Sequence, residues 1–298
     1  MGKRKVPLFL MILVLFPLIA GAEDFSVTYK EGAVQLKGAS GWIELAIGSP
    51  VSLDSSVRLA QNSLLQFKGA DLVITLSRPG LYVVLEVVAA HRTVSSPGIF
   101  TALAATLRQL AFGLDAPQST TMGARGADQS AQEEDQWIES SADVYVGSGK
   151  EYLRAGEYDK AVDQLTRAMK VATGKEQMQI HYLLATCASL RGDVREAWKQ
   201  IDGLQPGDSD PWARDFILLK GRLLVDTCAY GEAASLLTMN EAVLAQDAQR
   251  ASAFYFLLGL AYRGAGNTEK AKEAFSKVVA ISKGSDLAKG AEQLLIQL

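Results

Sequence analysis

The chain has 298 residues, 48% of them hydrophobic and 21% charged, with 30 Lys and Arg against 33 Asp and Glu and a formal net charge of −3. An acidic balance excludes a nucleic-acid binder acting through its overall field, because phosphate binding needs a basic surface. Two cysteines, Cys187 and Cys228, are too few for a disulfide scaffold, and the length suggests roughly two domains.

At the start of the chain, Lys3, Arg4 and Lys5 precede an apolar run over 6–19. The run closes on Ala20-Gly21-Ala22 before Glu23-Asp24. This is the three-part layout of a secretory signal peptide, expected over 1–22. The run is shorter than the roughly 20 residues of a spanning helix, and Pro17 interrupts its end. The expectation is a cleaved leader and a soluble protein that is periplasmic or otherwise exported, with no stable membrane span. Retention of the segment as an anchor is the alternative. No cysteine stands at the cleavage site, which excludes a lipid anchor there.

Residues 25–88 read as short strands: FSVTY (25–29), AVQLK (33–37), WIEL (42–45), VRLA (57–60), LLQF (64–67), LVITL (72–76) and LYVVLEVV (81–88). Turn residues separate them, among them Gly32, Gly41, Gly48-Ser49-Pro50, Gly69 and Pro79-Gly80. Such spacing predicts an all-β sandwich or barrel over 23–95. The order Trp42-Ile43-Glu44-Leu45, Ile47-Gly48, Val57-Arg58-Leu59, Ser63-Leu64-Leu65-Gln66-Phe67, Val73-Ile74-Thr75-Leu76 and Pro79-Gly80-Leu81-Tyr82 resembles the FecR-like periplasmic domain. The threonine usual before the serine strand is replaced by Ala60-Gln61-Asn62. The resemblance implies a sensing or docking module, without catalytic residues to carry over.

Residues 96–114 switch to helical spacing, with Ile99, Leu103, Leu107 and Leu110 on one stripe and Gly113 as a stop signal. The expectation is a helix packing on the β domain; Arg108 is its only charge, where membrane-lying helices carry many cations. Residues 115–136 have no periodicity and read as a flexible linker.

From 142 the chain is helical in pattern and self-similar. Gly149, Tyr152, Gly156, Tyr158, Ala161, Leu165 and Ala168 align with Gly259, Tyr262, Gly266, Thr268, Ala271, Phe275 and Val278. Weaker copies carry Ala185, Gly192 and Ala197, and Gly221, Tyr230 and Ala233. The pattern resembles the tetratricopeptide repeat, a unit of roughly 34 residues made of two antiparallel helices. Four repeats are expected over 137–285, starting near 142, 178, 214 and 252, with a capping helix over 286–298. Glycine or alanine at the eighth position lets the two helices approach, and the alanine twenty places in sits where their backbones nearly touch. The overall expectation is a multidomain chain: an N-terminal all-β unit followed by a C-terminal all-α solenoid.

Gly147-Ser148-Gly149-Lys150 invites comparison with a nucleotide loop and fails it. Val144 stands where the first glycine belongs, Glu151 where the hydroxyl belongs, and no strand precedes the stretch. His91 and His181 lie in different domains, and His181 and Cys187 are off the i, i+4 spacing that shares a helix face. No hydrolase elbow occurs. The reading is non-enzymatic, with no cofactor and no metal. The two cysteines read as small buried thiols, although spacing leaves a single bridge between them open.

In tetratricopeptide arrays the inner surface comes from the first helix of each unit. The resemblance places the cations Lys150, Arg154, Arg222 and Arg263 there, with Tyr182 and Phe256 as aromatic anchors of the kind enriched in binding hot spots. The expected partner-binding groove is therefore Lys150, Arg154, Tyr182, Arg222, Phe256 and Arg263, receiving an acidic segment or C-terminal carboxylate of a partner protein. The function expected is a protein–protein interaction adaptor of the bacterial cell envelope. Two alternatives stand beside it. One is an envelope-assembly module binding peptidoglycan or outer-membrane proteins, the β domain taking an envelope or cell-wall ligand. The other is a FecR-type signalling component.

Overall fold

Alternating apolar and polar residues produce the first strands, because one face of each must be buried and the other wetted. A computed structural model of the chain describes residues 25–38, 40–94, 97–110 and 141–298. The expected leader (1–22) and linker (115–136) lie outside the described residues. The strands are β1 (Phe25–Glu31), β2 (Val34–Gly38), β3 (Gly41–Glu44), β4 (Pro50–Val51), β5 (Ser56–Leu59), β6 (Leu64–Lys68), β7 (Val73–Leu76) and β8 (Gly80–Val83). They form two four-stranded sheets, ordered β4-β1-β6-β7 and β3-β2-β5-β8, and all pairs are antiparallel. Both sheets are open at their edges, and neither closes into a barrel. One apolar cluster takes Phe25, Phe67 and Ile74 from the first sheet and Val34, Val57 and Leu59 from the second. Phe25 meets Phe67 edge-on at 5.5 Å between ring centroids.

The strand expected over 81–88 stops at Val83, and the chain turns into α1 (Val84–Val94). The run of valines has high β propensity, yet Val84, Val87, Val88 and Val94 are all buried at helical spacing. A short apolar run does not distinguish strand from buried helix, and here packing overrides propensity. The two-residue β4 was not legible within the Gly48-Ser49-Pro50 turn.

Next come α2 (Pro97–Leu110) and a series of antiparallel helix pairs. These are α3 (Ala142–Ala155) with α4 (Tyr158–Val171), α5 (Lys175–Leu190) with α6 (Val194–Ile201), and α7 (Ala213–Asp226) with α8 (Tyr230–Met239). After the single turn α9 (Glu241–Leu244), α10 (Ala248–Gly264) pairs with α11 (Thr268–Ile281), and α12 (Asp286–Ile296) packs on α11. The glycines explain how closely the paired helices approach. A Cβ on Gly221 would lie 3.0 Å from Leu237, and one on Gly259 only 2.5 Å from Phe275. Ala161, Ala197, Ala233 and Ala271 are all fully buried in the same pairs.

The turns between paired helices use a left-handed residue: Gly156, Gly192 and Gly266 in three of them, and Cys228, at φ 59°, in the third pair. No disulfide forms; both cysteines are free thiols. Between neighbouring pairs, Arg250 of α10 donates from Nε to Asp215 Oδ1 of α7 at 2.8 Å, while its Nη1 donates to Asp247 Oδ2, at the start of its own helix, at 2.8 Å.

Candidate functional site

A row of first helices offers a shared lining surface, and in this chain that surface already has an occupant. α2 packs against α3, α5, α7 and α10, the first helix of every pair, and against α12. Its Leu103, Leu107 and Leu110, spaced i, i+4 and i+7, enter the same buried cluster as Phe256, Leu260 and Val225 of the solenoid. Val94 of α1 joins that cluster, and α1 packs along α10. The helix expected to pack on the β domain therefore packs in the solenoid instead. The leucine stripe had to be buried somewhere, and the two sheets already cover each other's apolar residues.

The six residues expected to line a partner groove are dispersed. Tyr182 is buried and stacks on Trp212, with ring centroids 5.3 Å apart; burial pushes its phenol well above the ordinary value. Phe256 is fully buried and meets Phe275 edge-on at 5.8 Å. Both belong to the solenoid's core rather than to an open surface. Lys150 is half-buried, and desolvation lowers its pKa, partly opposed by Asp143. Arg154 is exposed near the end of α3. Arg263 donates from Nη2 to Gln297 Oε1 at 3.1 Å, and desolvation lowers its pKa. Arg222 is buried, and its Nε donates to Asp226 Oδ2 at 3.2 Å.

α2 leaves a cleft on each flank. One, of about 700 Å³, lies between α2 and the first turns of α10 and α12, where Gln249 Nε2 donates to Gln109 Oε1 at 2.9 Å. The other, of about 430 Å³, is lined by Arg108 of α2, Tyr158, Ser189, Arg191 and Arg222. Of the six expected residues, Arg222 alone faces this second cleft. Arg108 and Arg191 were missed. The available signal was that Arg108 is the single charge on an otherwise apolar helix.

A third cleft, of about 340 Å³, marks where the β unit meets the solenoid, between Glu31, Ser77 and Arg78 on one side and Trp198 and Asp202 on the other. The Arg78 guanidinium lies 4.5 Å from the Trp198 ring centroid, and its Nε is 2.8 Å from Glu232 Oε2. Arg195 sits over Tyr29 at 4.3 Å, and Lys199 pairs with Glu31 at 3.6 Å. Among the described residues no group of three or more His, Cys, Asp or Glu is placed to hold a metal ion. No described helix is long and apolar enough to cross a membrane.

Comparison with known proteins agrees with the helix pairs. The chain carries tetratricopeptide repeats: that family matches residues 146–211 and 252–284. No family match covers the β unit. No curated protein matches the chain. Among solved structures, one described as a MamA RS-1 ArsTM double mutant aligns at 21% identity, covering 52% of this chain and 93% of its own, with a TM-score of 0.39. Another, MamA 41-end from Desulfovibrio magneticus RS-1, aligns at 23% identity over 52% of this chain and 92% of its own, also at 0.39. Similarity at that level assigns neither fold nor function.

Proposed function

We propose that this chain is an exported, non-enzymatic adaptor of the bacterial cell envelope, in which a FecR-like β sandwich and a tetratricopeptide solenoid together hold a protein partner. The observation that carries the reading is the stack of helix pairs whose first helices share one lining surface. Repeat solenoids use surfaces of this kind to bind protein segments. α2 takes the middle of that surface, so a partner contacts what α2 leaves open along its flanks and rims. The leader-like residues 1–22 support export.

The test is in-cell photocrosslinking from a benzophenone placed at Gln109 or Arg154, combined with fractionation and mass measurement of the mature N-terminus. The expected result is one specific crosslinked protein and a chain that begins after the leader. A chain retained in the cytoplasm with its leader intact overturns export, and the absence of any specific crosslinked protein overturns the adaptor role.

A second reading, binding of peptidoglycan or an outer-membrane protein by the β unit, is favoured by one feature. The outer face of the β3-β2-β5-β8 sheet carries Trp42 under Arg58 at 4.8 Å, beside exposed Leu81. Co-sedimentation of the full chain with purified cell wall, lost in Trp42→Ala, would favour it over a protein-only partner.

A further inference from the structure

The 430 Å³ cleft beside α2 gathers three arginines from three elements. Arg108 comes from the last turn of α2, Arg191 caps the C-terminus of α5, and Arg222 comes from the body of α7. Two polar atoms of its lining residues, Arg222 Nη1 and Ser189 Oγ, are buried without a hydrogen-bond partner among the described residues. Their residues are 7% and 2% exposed. A buried donor left unpaired is costly, and more so when charged, so such groups are rare in folded proteins. Two of them on residues that line one cleft mark a place where an acceptor belongs.

The neighbouring carboxylates do not supply it. Asp226 is engaged by Arg222 Nε at 3.2 Å. Asp159, itself exposed, pairs with Arg191 at 3.2 Å. Neither is bonded to Arg222 Nη1 or to Ser189, and Arg108 adds a guanidinium whose Nη1 lies 3.5 Å from where a Cβ on Gly156 would sit. The cleft thus holds a surplus of positive charge in a net acidic chain, an arrangement that concentrates anions locally. Guanidinium forks match the two oxygens of a carboxylate.

We propose that this cleft is a carboxylate-recognition site that takes an acidic side chain from a peptide segment of a protein partner. Arg108, Arg222 and Ser189 donate to its oxygens, and Arg191 attracts it at the rim. The assignment rests on the adaptor reading above and names the chemistry of the partner. Tyr158, Leu190, Ala104 and Ala105 also line the cleft; they supply apolar wall for the methylenes and backbone of a peptide, which a small free anion would leave unused. Because Arg108 belongs to α2, the site is complete only with α2 seated, and the helix is part of the binding surface.

The experiment uses the full mature chain and a fluorescein-labelled hexaglutamate peptide, followed by anisotropy at low salt with hexaserine as control. Saturable binding of hexaglutamate alone is expected, weakening with added salt. R108Q/R191Q should lose about tenfold or more in affinity, and Arg108→Lys, which keeps the charge but not the fork, should also bind more weakly while its circular dichroism is unchanged. Absence of saturable hexaglutamate binding, or equal binding by R108Q/R191Q, overturns the site. Binding of inorganic phosphate without binding of the peptide overturns it too, in favour of a small-anion pocket. If hexaglutamate fails while the in-cell crosslink persists, this site falls and the adaptor reading stands; loss of the crosslink removes the adaptor reading itself.

Discussion

The thiol of Cys228 lies 3.6 Å from Nδ1 of His91, joining the corner of the third helix pair to the helix that leaves the β unit. Cys228 stands where the other pairs have a left-handed glycine, and it packs against both apolar clusters of the molecule. The corner without glycine is therefore also one of the points where the two units meet. Burial pushes the Cys228 thiol up to about 12 and holds the His91 pKa below its ordinary value, so the contact is between neutral groups at neutral pH.

This contact predicts an acid-sensitive junction. Burial lowers the His91 pKa from 6.5, so as pH falls the unfolded chain takes up the proton before the folded one. The stability tied to a neutral His91 is complete above the unfolded pKa and is lost as pH falls through it toward the folded value. Calorimetry should show Tm falling as pH drops below about 7, with a shallower fall in His91→Gln. An identical slope in the variant would remove His91 as the cause.

At another contact between the units, Arg78→Ala removes both the stacking on Trp198 and the pairing with Glu232. Partly desolvated cation–π contacts contribute about 0.5–2 kcal/mol. The expected outcome is a small drop in Tm and a larger gain in crosslinking distances between the β unit and α6, read by crosslinking mass spectrometry. Unchanged distances would show that α1 and the Tyr29–Arg195 and Glu31–Lys199 contacts hold the junction without Arg78.

Two glycine substitutions should move stability in opposite directions. A Cβ at Gly147 meets nothing within 4 Å, so Gly147→Ala should stabilise by about 0.5–1 kcal/mol through helix propensity. A Cβ at Gly259 meets Phe275 at 2.5 Å, so Gly259→Ala should cost about 1–3 kcal/mol by overpacking. Urea unfolding of both variants checks the signs.

Arg250→Met leaves buried Asp215 without its partner, and breaking a buried pair in this way costs about 3–5 kcal/mol. Replacing both partners, as in Asp215→Leu with Arg250→Met, should recover most of that loss, because the charge that remains, Asp247, is partly exposed to water. Equal destabilisation of the single and double variants in urea would contradict this account.

Seating of α2 rests on its leucines. Leu103→Ala and Leu107→Ala should each cost about 2–5 kcal/mol of docking or stability. Hydrogen exchange should show α2 amides losing protection while α11 keeps its own. Equal loss across both helices would mean that α2 is not a separable element.

The repeat register was legible because its rules are local. Gly259 and Phe275 are sixteen residues apart in one antiparallel pair, and the small and large residues that let two helices approach must recur whenever that pair recurs. Seven of the eight strands were legible for a similar reason, since alternation and turn residues act within a few positions. α1 was not, because a run of valines satisfies both a strand and a buried helix until a neighbouring surface selects one.

The sequence by itself determined the two kinds of unit, the pairing of helices within each repeat and the apolar stripe of α2. Only the tertiary structure decided which surface receives that stripe, that Tyr182 and Phe256 are enclosed, and that Arg108, Ser189 and Arg222 meet at one cleft. Periodicity tells which face of an element must leave water; it carries no record of which distant surface will cover it. That choice is made by shape and burial among elements far apart in the chain.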